Sequence, residues 1–328
     1  MDIEHGVRIN FSKSIYQKVA PSVGLHPFGE LNDIGTFEIH RCRIPTNLFK
    51  SIVMDMDNML IEYGAPFDHE TDTARSRFIS PIFNHLVSQF TFMLRNHPKN
   101  MLATVGAKDH IGNFYKIFGA VAIISVEMMH ARRNSEERLK GIAQIMVESN
   151  GCDLENYARG FSLPIHCIFH NGPSFEFFKF ESTPNPTFLR GCFQGDPKPY
   201  RQGVWLEDLG TLETPLPFVL QLRCVCETIF DVMLSAYIAG LKAGYNHSKN
   251  EGKTEGSSFD EWDRALRSAE RAQATFRKAE VQRQEGNIVS ADATVDEALL
   301  ALQERYAFHS SYRSSDYIQV RTRHASLG

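Results

Sequence analysis

The run Phe118-Gly119-Ala120-Val121-Ala122-Ile123-Ile124-Ser125-Val126 carries no charge and closes on a single carboxylate, Glu127. An apolar run of this length, rich in β-branched residues, predicts a buried strand. A charged stretch follows. Ser135 to Ser149 then places Leu139, Ile142, Ala143 and Met146 on one side, the pattern of an amphipathic helix, and this helix carries Gln144. Two more strand-like segments come next, Leu163–Phe169 and Ser174–Phe180, separated by Asn171-Gly172. That dipeptide between two apolar runs is a hairpin signal. Strand, acid, helix, strand, turn, strand predicts an α/β core.

The flanking segments read less sharply. Residues 1–68 read as β-rich, with Thr36–His40 alternating like a half-buried strand and Ser51–Met54 as a short apolar strand. Asp68 to about Asn96 has apolar residues at helical spacing, among them Phe78, Ile82, Phe83, Leu86 and Phe90, with His97-Pro98 as its stop. Leu102–Val126 reads as strand, loop and strand. Pro184–Gly203 is rich in Pro, Gly and Asn and reads as a loop. Leu216–Ala243 is a strongly apolar helix. Residues 246–258 are polar and predict a flexible linker. Two amphipathic helices follow over 259–308, broken at Gly286-Asn287, and 309–328 is a polar tail. The expected division is therefore an N-terminal segment 1–68, a core 69–245, a linker, a helical hairpin and a tail. One such hairpin cannot bury its own apolar face, so it packs on the main body, on a partner protein or on a second copy.

Composition narrows the function classes. The chain has 328 residues and a formal net charge of −4, so no global basic field draws it to nucleic acid. Arg132, Arg133, Arg138 and Lys140 form one local basic cluster, read either as a phosphate contact or as a solvated helix face. The six Cys are scattered, with no C-x-x-C pair. They predict reduced thiols and an intracellular protein, cytoplasmic or nuclear. The N-terminus has no signal-peptide pattern and no apolar run reaches bilayer length, so no membrane partner is expected. A Ser/His/Asp triad, a phosphate-cradling Gly-Lys-Ser loop and zinc-ligand spacings are not found.

Glu70, Asp109 and Glu127 are the carboxylates at the expected helix start, strand and strand end, and Gln144 lies on the helix that follows. Carboxylate oxygens suit a hard cation such as Mg²⁺ or Mn²⁺. Each residue also has a plainer reading: a helix-start acid favoured by the macrodipole, a turn Asp, a strand-end acid and a surface Gln.

The order Glu70, Arg75–Phe83, Ile124-Ser125-Val126-Glu127, Lys140-Gly141-Ile142-Ala143-Gln144, Leu163-Pro164-Ile165 and Asn171–Phe177 resembles the PD-(D/E)XK nuclease-like, or restriction-endonuclease-like, proteins found widely in fungi. The resemblance covers about 70–240 and rests on the order of short motifs. It implies a central mixed sheet flanked by helices, to which the C-terminal hairpin is appended. It also implies metal-dependent cleavage of DNA or RNA. Asp109 and Glu127 would be the metal ligands, Glu70 would assist, and Gln144 would orient a water or phosphate. Met129 stands where the family carries Lys two residues after the acid. The expectation therefore has two forms, an active nuclease or a catalytically inactive scaffold that binds nucleic acid or protein. Lys116 and Lys140 are the lysines that would substitute. A rival pattern, Ser51–Met54 followed by Asp55-Met56-Asp57, resembles the first motif of haloacid-dehalogenase-like phosphatases, with Asp55 as nucleophile and Asp57 as acid/base.

Overall fold

The computed structural model describes residues 16–64, 68–69, 77–90, 94–98, 113–117, 121–128, 135–170, 174–193, 196, 202–203, 216–250 and 257–304. In chain order these form α1 (Tyr16–Val19), β1 (Thr36–Ile39), α2 (Thr46–Tyr63), α3 (Ser80–Ser88), β2 (Leu94–Pro98), β3 (Asn113–Ile117) and β4 (Val121–Met128). There follow α4 (Ser135–Ala158), β5 (Ile165–His170), β6 (Ser174–Glu181), β7 (Thr187–Phe193), β8 (Gln202–Gly203), α5 (Leu216–Asn250), α6 (Ser257–Gln284) and α7 (Ile288–Glu304).

The strands make one mixed sheet in the order β1-β7-β6-β5-β4-β3-β2, with β8 paired to β6. β2, β3 and β4 form an antiparallel meander. The chain then crosses through α4 and returns as β5, parallel to β4. β6 closes an antiparallel hairpin on β5, as Asn171-Gly172 predicts, and β7 pairs antiparallel to β6. β1, from far upstream, joins β7 in parallel. Every residue of β5 is buried, as expected of a strand covered on both faces.

The period of two along β6 divides the interior into two cores. Phe178 and Phe180 pack with Ile142, Ala143, Ile145 and Met146 of α4 and with Tyr16 and Val19 of α1. Phe175 and Phe177 face the other way, into a larger core with α5, α3 and the α6–α7 hairpin. The helix α5 is therefore buried nearly all round, with Ile229, Phe230, Met233, Leu234, Tyr237 and Leu241 all inaccessible. It lies between the sheet and the hairpin, which explains why its sequence lacks a clean polar face. It is also the one helix among the described residues long and apolar enough to cross a bilayer, and 83% of its most apolar window is buried inside the protein.

Several sequence expectations are corrected. Residues 1–68 are not β-rich where described: they hold one strand, β1, and the helix α2 occupies Thr46–Tyr63. Ser51–Met54 therefore lies inside a helix, not a strand. Of the helix expected over 68–96, the described residues are helical at Ser80–Ser88, and Leu94–Pro98 is a strand because it finds a partner in β3. His97-Pro98 lies at the end of that edge strand, where the missing proline N–H is tolerated. The segment 184–203 contains β7, hidden in the sequence by its flanking Pro and Gly. The helix begun at Ser135 runs through Gly151 to Ala158. The expected linker is helical at both ends, through Asn250 and from Ser257; 251–256 lie outside the described residues.

Of the three expected docking modes for the hairpin, the structure has it packed on the body. Ala265, Ala269, Ala272, Phe276 and Ala279 of α6 and Val295, Ala298, Ala301 and Leu302 of α7 belong to the same core as α5. The small side chains let the two helices approach closely, and Gly286, at φ 85°, supplies the left-handed turn between them. Ion pairs tie the hairpin down: Arg277 donates to both carboxylate oxygens of buried Asp231 at 2.7 and 2.9 Å, and Arg43 donates to Asp292 at 2.8 Å.

Candidate functional site

Glu127 is the penultimate residue of β4. The parallel register sets it beside Phe169 of β5, and the hairpin register sets Phe169 beside Glu176 of β6. One row across the middle of the sheet thus runs Glu127, Phe169, Glu176, at the end of β4 from which the chain leaves for α4.

Glu176 is fully buried and held between two guanidinium groups. Arg138, in the first turn of α4, donates its Nε and Nη2 to the two carboxylate oxygens at 3.0 and 2.8 Å. Arg190 of β7 lies 2.9 Å from the second oxygen. Arg138 is therefore neither a free phosphate contact nor a solvated residue; its charge is spent inside the protein. Lys140 is exposed, while Arg132 and Arg133 lie outside the described residues.

The α4 side of the sheet is unusually polar. Gln144 is buried, not on the surface, and its Nε2 donates to Oε1 of fully buried Glu148 at 3.1 Å. One turn on, Ser149 sits 2.9 Å from Cys167 of β5. Lys116 of β3, only 3% exposed, reaches Glu155 of α4 at 2.6 Å, and Arg159 donates to the same oxygen at 2.8 Å. Burial pushes the Cys167 thiol up to about 12. The Cys152 thiol is raised well above its ordinary value, first by burial and then by Glu148, with Lys116 opposing. Both stay protonated near neutral pH and are inert as nucleophiles.

Of the residues expected from the sequence, Glu70, Asp109 and Met129 lie outside the described residues, and Glu127 is fixed by its backbone register. Gln144 is on the expected helix. Among the described residues no three His, Cys, Asp or Glu side chains gather to hold a metal ion. The expected donors are carboxylate oxygens, the type that suits Mg²⁺ or Mn²⁺. Of the two substitute lysines, Lys116 is consumed by Glu155 and Lys140 points to solvent. The phosphatase pattern fails on local structure. Asp55 and Asp57 both lie on α2, where residues two apart do not face each other, and Asp55 pairs with His85 at 2.6 Å.

Sequence reasoning missed Glu176, Arg190, Glu148 and Glu155. Glu176 had one visible signal: an acid inside Phe175-Glu176-Phe177, a strand too apolar to expose it. No family model, curated protein or solved structure matches this chain.

Proposed function

We propose that this chain is a PD-(D/E)XK nuclease-like protein, built for metal-dependent cleavage of nucleic-acid phosphodiesters. One observation carries the reading. Three antiparallel strands, the third bringing Glu127 to its end, lead into a helix bearing Gln144, then into a strand parallel to the third and its hairpin partner. From the strand ending at Glu127 onward, this order follows the motif order on which the sequence resemblance rests, and a mixed sheet flanked by helices is consistent with it. Asp109 and Glu127 are the proposed ligands of Mg²⁺ or Mn²⁺, with Glu70 assisting and Gln144 in support. Such a cation, when bound, offsets phosphate charge and acidifies a water. DNA and RNA are both within the proposed substrate class, and the proposed location is intracellular.

A second reading, a catalytically inactive nuclease-fold scaffold that binds nucleic acid or protein, is favoured by a separate observation. The supporting groups are already committed: Lys116 to Glu155, Gln144 to Glu148 and Arg138 to Glu176. With Met129 in the lysine position, neither Lys116 nor Arg138 is uncommitted and able to stabilise a developing oxyanion.

One experiment separates the two. Wild type, Asp109→Ala, Glu127→Ala and Met129→Lys are assayed with Mg²⁺ and Mn²⁺ on single- and double-stranded DNA and on RNA. Cleavage by wild type that both alanine variants abolish supports the active nuclease. A folded wild type that binds a substrate without cutting it, while Met129→Lys gains cleavage, supports the scaffold. Cleavage unaffected by either alanine variant rejects the proposed site.

A further inference from the structure

A second feature lies on the α5 face of the sheet, toward the start of β5 and away from the Glu127 row. A cleft of about 280 Å³ opens between β1, β5, β6 and α5. This is just below the usual range for small-molecule sites, roughly 300 Å³ upward, and suits a single-ring ligand.

Its floor is apolar, with Ile39 and Val232 among its residues, and Phe37 forms one wall. The Lys179 ammonium sits 5.3 Å from the Phe37 ring centre, and the His166 ring meets Phe37 edge-on at 6.3 Å. His166 is 7% exposed, and its Nδ1 is buried without a hydrogen-bond partner. A buried nitrogen left unpaired is costly and calls for explanation. Ser235 accepts a hydrogen bond from Gln273 at 2.7 Å and keeps its own proton to donate. Lys242 stands on the α5 side.

Two carboxylates and two ammonium groups border the cleft, and the ammonium groups are the ones a ligand can recruit. Asp231 is one of the carboxylates, but its oxygens are taken by Arg277 and Cys42. Glu38 is the remaining lining carboxylate, 44% exposed and 3.8 Å from His40. Lys179 and Lys242 pair with Glu181 and Glu270 at 2.9 and 2.7 Å, and those partners are 38% and 44% exposed. The Lys242–Glu270 pair is exposed on both sides and contributes little, so Lys242 can turn to a ligand at small cost; Lys179 is 21% exposed and already lies at the cleft, beside Phe37.

We propose that this cleft binds a small planar organic anion, an aromatic or conjugated monocarboxylate. Its flat body lies along Phe37 and the apolar floor, its carboxylate faces Lys179 and Lys242, and His166 and Ser235 supply neutral hydrogen-bonding groups. The site is independent of the nuclease reading.

The test is isothermal titration of the full chain with benzoate, with benzamide as the neutral isostere and inorganic phosphate as the charge without the ring. Saturable benzoate binding is expected, with benzamide and phosphate each at least about tenfold weaker. Lys242→Gln changes an exposed side chain, while Lys179, 21% exposed on β6, is replaced by a side chain of similar length, and circular dichroism checks that both variants keep the wild-type fold. Each is expected to weaken benzoate at least about tenfold, while Lys140→Gln, on α4, leaves it unchanged. Absence of saturable binding by the folded wild type overturns the proposal. So does equal affinity for benzamide or phosphate, or unchanged affinity in the Lys179→Gln/Lys242→Gln double variant.

Discussion

Glu176 is the residue whose removal most directly tests the electrostatics of the central sheet. It is 0% exposed, while its partners Arg138 and Arg190 are 17% and 6% exposed. The three groups carry one negative and two positive charges. Deleting the carboxylate by Glu176→Ala removes the buried negative charge that two cations share, one of them almost wholly buried. Breaking a buried ion pair from one side costs about 3–5 kcal/mol, because the orphaned charge keeps its desolvation penalty. Two facing guanidiniums place Glu176→Ala at the upper end of that range. Deleting Arg138 instead leaves Glu176 and Arg190 as a balanced pair, and Arg138 itself retains partial access to water. Arg138→Ala should therefore cost about 1–2 kcal/mol. Urea unfolding followed by circular dichroism measures both, with the slopes compared to check that each variant unfolds from a comparable native state. The refuting result is Arg138→Ala costing as much as Glu176→Ala. Stability would then follow the number of hydrogen bonds lost and not the charge left behind.

Other expectations are briefer. Gly191 of β7 has no room for a side chain: an added Cβ would lie 2.9 Å from Ile39 Cγ2 and 3.2 Å from Phe177 Cβ, so Gly191→Ala should destabilise by about 1–3 kcal/mol in the same urea assay. Burial, aided by nearby Lys179, lowers His166 to about 4. The unfolded chain binds this proton near 6.5 and the folded chain does not, so the contribution is complete above about 6.5 and is lost as pH falls toward 4. The wild-type stability curve, with that of His166→Gln subtracted, should fall by about 3 kcal/mol over this window; a flat difference would contradict the assignment. Phe276 of α6 is fully buried and meets Phe230 of α5 edge-on at 5.1 Å, so Phe276→Ala should cost about 3–5 kcal/mol. Because the hairpin shares the main core, far- and near-ultraviolet signals should still melt together; early separate loss of helix would mean that the hairpin is its own unit.

The sequence by itself determined the middle of the sheet. The uncharged run before Glu127, the one-sided helix with Gln144 and the two apolar runs around Asn171-Gly172 became β4, α4, β5 and β6. Each is specified within a window of a few residues, by burial period and turn chemistry, so no distant partner is needed to recognise it. The amphipathic pair at the C-terminus was legible for the same reason. Local pattern failed where a segment's state depends on what it meets. Leu94–Pro98 continues a helical spacing yet becomes a strand because β3 lies beside it, and Thr187–Phe193 reads as loop until β6 and β1 flank it. Ser51–Met54 shows the converse, an apolar run whose buried Ile52 is one position on a helix face.

Only the tertiary structure decided which charges meet. Arg138 and Glu176 are 38 residues apart, Arg277 and Asp231 are 46 apart, and Arg43 and Asp292 are 249 apart. Nothing in the local spacing of an arginine distinguishes a phosphate contact from the partner of a buried carboxylate. That distinction is made by desolvation, which acts only once the chain has closed around both groups. The basic cluster around the start of α4 therefore read as a surface feature, while Arg138 became an interior one. The same closure set Gln144 on Glu148 and Lys116 on Glu155; no local spacing in the sequence announces the pairing of Lys116 with Glu155, 39 residues apart.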